Sequence, residues 1–207
     1  MEFYSLFIKI KQILINPSNF FENVKKETGI KQSFIYLMVL SLFSTVLGLV
    51  VGQSLQNYYY NLVARVFGFS FPQPKYTIGI LILFAFIGYL VILLSSFIMA
   101  GILHVWILIF GGKEEYAKTY QLYVYSKTPR FIVGWIPFVT YLTWIYDLVL
   151  LIIGTQKIHN ISRTKSILMY VIPIVLIISL LLVLAFFVFY VIKSNPQIFQ
   201  NLTQQKV

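Results

Sequence analysis

The chain has 207 residues, of which 59% are hydrophobic and only 11% charged, against about 25% charged in a soluble domain. That balance excludes an ordinary water-soluble fold, and the solidly apolar rather than alternating runs argue against a β-barrel. The net charge of +10 follows Lys and Arg gathered near span ends rather than a nucleic-acid surface, and the lack of cysteine rules out disulfides, thiol catalysis and Cys-ligated metals.

Residues 1–15 read as an amphipathic helix, with Phe3, Leu6, Phe7, Ile10, Ile13 and Leu14 at helical spacing. Such a helix can lie in the membrane interface or pack on the protein's own spans, and the sequence leaves both open. Asn16-Pro17 signals a helix start. The short helix that follows carries Phe20, Phe21 and Val24 on one side, and Gly29 can close it. No cleavable signal peptide is expected, because the first long apolar run is too long for a signal core.

The first span is expected over about Ser33 to Gly52, with Gly48 and Gly52 as a GxxxG pair for close helix approach. Residues 53–76 read as the longest loop. Tyr58, Tyr59 and Tyr60 suit a headgroup-level aromatic belt, and Phe71-Pro72-Gln73-Pro74 marks irregular chain. The run Ile78 to Phe110 holds no Asp, Glu, Lys, Arg, Asn, Gln or Pro. It is roughly 50 Å long as a helix, against a bilayer core of about 30 Å, so it reads as one long span ended by Gly111-Gly112.

Tyr116 to Val133 and Phe138 to Thr155 read as a tight hairpin about Gly134-Trp135-Ile136-Pro137, with Pro129 kinking the first arm. A final span runs from about Ile167 to Ile192, with Pro173 near its start. The expected fold is therefore all-α and polytopic, with five transmembrane helices and an N-terminal amphipathic helix. Its segments are a cytoplasmic interfacial segment over 1–32, a membrane domain over 33–192 and a short exterior tail over 193–207. Lys9, Lys11, Lys25, Lys26, Lys31, Lys113, Lys118, Lys157, Arg163 and Lys165 then share one side. The positive-inside rule makes that side cytoplasmic and puts the C-terminus outside. Of two glycosylation sequons, Asn160 falls inside and Asn201 outside.

Ionisable groups inside a bilayer are costly and each needs a reason. Tyr116, Tyr120, Tyr123, Lys127 and Arg130 share one helix face, as do Thr140, Thr143, Asp147 and Gly154. Folding the hairpin about residue 136 brings Lys127 and Asp147 to depths that differ by about 3 Å. The expectation is an intramembrane pair between Asp147 and Lys127, with Arg130 as the alternative partner. It serves as a hairpin lock or, in a second reading, as part of a proton or ion pathway with His104. Lys127 and Arg130 can instead snorkel outward. No Walker loop, HExxH, Cys nucleophile or carboxylate cluster is present, so no enzyme activity, catalytic residue, metal site or cofactor is expected.

One pattern runs through most of the chain. Gly111-Gly112 is followed by a Tyr-rich helix ending near Pro129, then a Trp-containing span closing in Leu151-Ile152-Ile153-Gly154. Next come Gln156-Lys157-Ile158-His159-Asn160-Ile161-Ser162-Arg163-Thr164-Lys165 and a span with Pro173. In that order these motifs resemble the Yip-one family of membrane proteins, named for interacting with Ypt/Rab GTPases, over roughly residues 14–190. Asn16-Pro17 with Phe20-Phe21 resembles the pre-span segment of its prokaryotic members.

The resemblance implies five helical spans, a cytoplasmic N-terminus, a prokaryotic cell membrane and a non-enzymatic role near membrane trafficking or membrane shaping. The family-like positions are Gly111, Gly112, Pro129, Gly154, His159, Ser162 and Lys165. The chain lacks the long cytoplasmic tail of the eukaryotic members, so a small GTPase partner stands on analogy alone and is not carried over. The leading reading is a scaffold that contacts the lipid bilayer and binds itself or other membrane proteins, with no nucleic-acid partner. The alternative is a small transporter or channel subunit using Asp147, Lys127 and His104.

Overall fold

The computed structural model describes residues 3–68, 76–136 and 138–194. The described elements are all helices: α1 (Phe3–Ile15), α2 (Pro17–Val24), α3 (Lys31–Val50), α4 (Gly52–Phe67), α5 (Ile78–Ile109), α6 (Tyr116–Ser126), α7 (Thr128–Val133), α8 (Val139–His159) and α9 (Arg163–Ser194). Four of them, α3, α5, α8 and α9, are long and apolar enough to cross a membrane. Residues 1–166 form one compact unit and 167–207 a second, whose described part is the remainder of α9 with Pro173 inside it.

Local chemistry sets the first boundary. Asn16 caps α2, its Oδ1 accepting from the Asn19 N–H at 3.4 Å, and Pro17 takes the first helical position, where a missing N–H costs nothing. Phe20, Phe21 and Val24 are buried, with α2 packed on α8 and α6. Helix α1 docks on α2 and α7 with Ile13 fully buried.

The stretch expected as the longest loop is instead helical over Gly52–Phe67. Leu55, Tyr59 and Val63 are half-buried at four-residue spacing, a helical period that three adjacent tyrosines obscure. Gly68 ends α4 in the left-handed conformation, with φ 72°, which suits glycine. Because α3 stops at Val50, the Gly48–Gly52 pair straddles a helix junction rather than lining one face. Gly48 faces Trp135. Phe71-Pro72-Gln73-Pro74, Pro137 and Asn201 lie outside the described residues.

The long apolar run is one helix of 32 residues. Its end is a Schellman motif: the Gly111 N–H bonds the Leu108 carbonyl at 3.0 Å and the Gly112 N–H bonds that of Ile107 at 3.0 Å. Gly111 carries the left-handed φ of 95° that this motif needs.

The next arm departs from a kinked span. Helix α6 stops at Ser126, and Pro129 sits in the first turn of a separate short helix, α7. Proline supplies no N–H to the Tyr125 carbonyl one turn back. The Thr128 hydroxyl takes that role, donating to the Tyr125 carbonyl at 2.7 Å. Since its proton is committed there, Tyr36 Oη is the donor in the 2.9 Å contact with Thr128 Oγ1. Helices α6 and α7 both pack on α8, with the turn over Gly134–Ile136 between.

Within residues 1–166 the chain has two ends. The turns after α2, α5 and α8 gather at a basic end, where Lys25 Nζ reaches Asn160 Oδ1 at 2.9 Å. The Gly134–Ile136 turn lies at the other end, near the last turn of α3.

Candidate functional site

Helix α6 is the axis of the compact unit. Lys118, Thr119, Tyr120, Gln121, Leu122, Val124, Tyr125 and Ser126 are all buried there, among α5, α8, α3 and α2. A polar helix is tolerated in such a place only if its side chains find partners, and three groups of contacts supply them.

The first group holds the N-terminal segment. Lys118 Nζ donates to the carbonyls of Val24 at 3.1 Å, Lys25 at 2.8 Å and Glu27. These carbonyls lie at and just past the end of α2, where a cation is favoured by the helix dipole; that of Val24 also accepts the Glu27 N–H at 3.0 Å. Gln121 Nε2 adds bonds to the Gly29 carbonyl at 2.7 Å and that of Glu27 at 3.3 Å. The Glu27 carboxylate takes Lys9 Nζ on one oxygen at 2.7 Å and Tyr125 Oη on the other at 2.7 Å. The Tyr125 ring, fully buried, lies edge-on to Phe20 and Tyr36. Tyr146 Oη donates to the Leu14 carbonyl at 2.6 Å and so ties the end of α1 to α8.

The second group joins the two histidines. His104 Nδ1 lies 2.9 Å from Thr119 Oγ1, which in turn lies 3.2 Å from His159 Nε2. The edge of the Tyr116 ring meets His104. His104 thus belongs with His159 at the basic end. Asp147 sits twelve residues before His159 on α8, about 18 Å away along the helix. Gly112 leaves room for this group, since a Cβ there would lie 3.3 Å from His159 Nδ1.

The third group is ionic. Asp147, only 1% exposed, has Lys127 Nζ at 3.3 Å and Arg130 Nε at 3.2 Å, both on Oδ2. The Arg130 contact is an ion pair without hydrogen-bond alignment, and Asp147 Oδ1 has no hydrogen-bond partner among the described residues. Lys127 Nζ also stands 5.6 Å above the Tyr123 ring. Tyr120 turns the other way, toward α5, bonding Ser96 Oγ at 3.0 Å and stacking on Phe97.

The remaining motif positions shape the frame. Gly154 is where α8 meets α6 and α2, and a Cβ there would lie 2.3 Å from Leu122 Cδ1 and 3.1 Å from the Phe21 ring. The Ser162 carbonyl receives the Ser166 N–H at 2.9 Å at the start of α9, and Lys165 is exposed.

These motifs are framed by a match to a known family. The Yip1 domain matches residues 11–186. The chain belongs to the Yip1 family. No curated protein and no solved structure matches it. The Yip1 domain here takes in part of α1 and all of α2 through α8, and with them all three polar groups except Lys9. The apolar helices make this Yip1-family chain a multi-pass integral membrane protein. Lys118, Thr119, Gln121, Lys9, Glu27 and Tyr125 are the contacts that sequence reasoning missed. The available signal was the polar density of Lys118-Thr119-Tyr120-Gln121 inside an arm assigned to the bilayer, where polar side chains seek partners.

Proposed function

We propose that this Yip1-family chain is a non-enzymatic scaffold or interaction protein of the membrane, related to trafficking and membrane-shaping factors. One observation carries the reading: the inward ionisable groups are spent on joining helices. Asp147 takes both Lys127 and Arg130, while Lys118 and Glu27 bind the N-terminal segment to α6. His104 contacts Thr119 rather than Asp147, which favours a lock over a proton relay between them.

In this reading α6 and α7 together complete a fifth crossing, at about 27 Å of combined length. The charge bias at the basic end supports a cytoplasmic N-terminus and an exterior C-terminus. The Asn16-Pro17 and Phe20-Phe21 segment supports a prokaryotic-type member in a cell membrane. Partners are the bilayer and a second copy or other membrane proteins, with no GTPase or nucleic acid invoked.

Proton and cation flux into liposomes holding the purified protein tests this. No flux from folded, inserted protein is expected, alongside recovery of a protein neighbour by cross-linking in native membranes. Flux that Asp147→Asn abolishes would replace the scaffold with a transporter built on Asp147 and Lys127, for which the unpartnered Asp147 Oδ1 is the structural argument.

A further inference from the structure

The ionic group near the Gly134 turn is unbalanced. It brings two cations, Lys127 and Arg130, to one anion, Asp147, and so carries a surplus positive charge. Asp147 is buried and its Oδ2 already faces both cations. Arg130 turns only Nε toward it, so both Nη groups remain, and no described residue accepts from them. The Arg130 side chain is 40% exposed. The exposed residues of α8 in the turns before Asp147 are apolar or aromatic: Tyr141, Leu142, Trp144 and Ile145. An uncompensated charge in such surroundings costs several kcal/mol unless a counter-charge reaches it.

We infer that Arg130 binds the phosphate of an anionic phospholipid at the turn end of the membrane domain. A guanidinium presents paired N–H donors that match phosphate oxygens. Arg130 lies one helical turn before Gly134, about 6 Å along the axis, so its long side chain reaches headgroup level while its stem crosses apolar surface. Gly134 lets the chain close tightly over the end of α7, since a Cβ there would lie 2.3 Å from the Arg130 carbonyl oxygen and 3.1 Å from Arg130 Cγ. A free phosphate has the same oxygens, but only a lipid also covers the apolar residues of α8.

The test is binding of phosphatidylglycerol to the purified full chain in neutral-detergent micelles, read by native mass spectrometry. Arg130→Gln should weaken binding about tenfold or more, as expected for a charged hydrogen bond, and Arg130→Lys should recover part of it. Arg163→Gln, at the opposite end, should leave it unchanged, and inorganic phosphate should not displace the lipid. Unchanged affinity in Arg130→Gln, an equal loss in Arg163→Gln, or displacement by inorganic phosphate would each overturn the assignment. If Arg130→Gln does not fold, Arg130→Lys decides. It keeps the charge and most of the stem but loses the paired donors, so it should bind the lipid more weakly than the wild type, and unchanged affinity there would count against the site.

Discussion

Replacing Lys118 with Met removes an ammonium and keeps most of its stem. The side chain is buried, and its donors serve the carbonyls of Val24, Lys25 and Glu27. A buried acceptor left unpaired costs about 1–3 kcal/mol. The Val24 carbonyl keeps the Glu27 N–H at 3.0 Å and the Glu27 carbonyl keeps Gln121 Nε2 at 3.3 Å, so the loss falls mainly on the part-buried Lys25 carbonyl. Relief of the ammonium's own desolvation returns a little of it. The net cost is about 1–2 kcal/mol, or roughly 5- to 30-fold in the local opening equilibrium. It should fall on α2 and the turn after it, because Lys118 ties that segment to α6. Hydrogen exchange in detergent micelles reads this directly: peptides over residues 17–30 should exchange faster by that factor, while those within 90–107 stay as in the wild type. Lys113→Met, at an exposed neighbouring position, should change neither. Unaltered exchange over 17–30 in Lys118→Met, or equal acceleration within α5, would refute the clamp.

Gly154→Ala places a methyl group against Leu122 and the Phe21 ring and should destabilise by about 1–3 kcal/mol, seen as a lower thermal midpoint. Asp147→Asn leaves two cations without their anion; breaking a buried pair costs about 3–5 kcal/mol, and adding Lys127→Met and Arg130→Gln should restore part of it in the same melts. Glu22, outside the spans, is held below the usual carboxylate range by its hydrogen bond to Lys25, then by the charges of Lys25 and Lys157. Its folded value is lowered, so its stabilisation is present above the unfolded value and is lost as pH falls through the folded one. Acid melts should show Glu22→Gln losing less stability than the wild type over that interval, and equal losses would discard the link.

Some features were plain because they are local. The Asn16-Pro17 cap, the end of α5 at Gly111-Gly112 and the long helix over 78–109 each follow from neighbouring residues, whose backbone needs do not depend on the rest of the fold. The close approach of Lys127 and Asp147 also followed from hairpin geometry. Helix α4 is masked in the sequence by tyrosines suited equally to a headgroup belt. Pro129 does interrupt its arm, between α6 and α7, but that the Thr128 hydroxyl takes up the Tyr125 carbonyl is visible only in the fold.

Hydrophobic content along the chain was enough to make this a multi-pass membrane protein, since transfer into lipid depends on composition along each segment rather than on its neighbours. Which polar groups meet depends on which helix faces oppose one another. Packing alone sent Lys118 to the end of α2, joined His104 to His159 through Thr119 and left Arg130 part-exposed, because each contact links residues 15 to 94 positions apart or, for Arg130, depends on a partner already occupied.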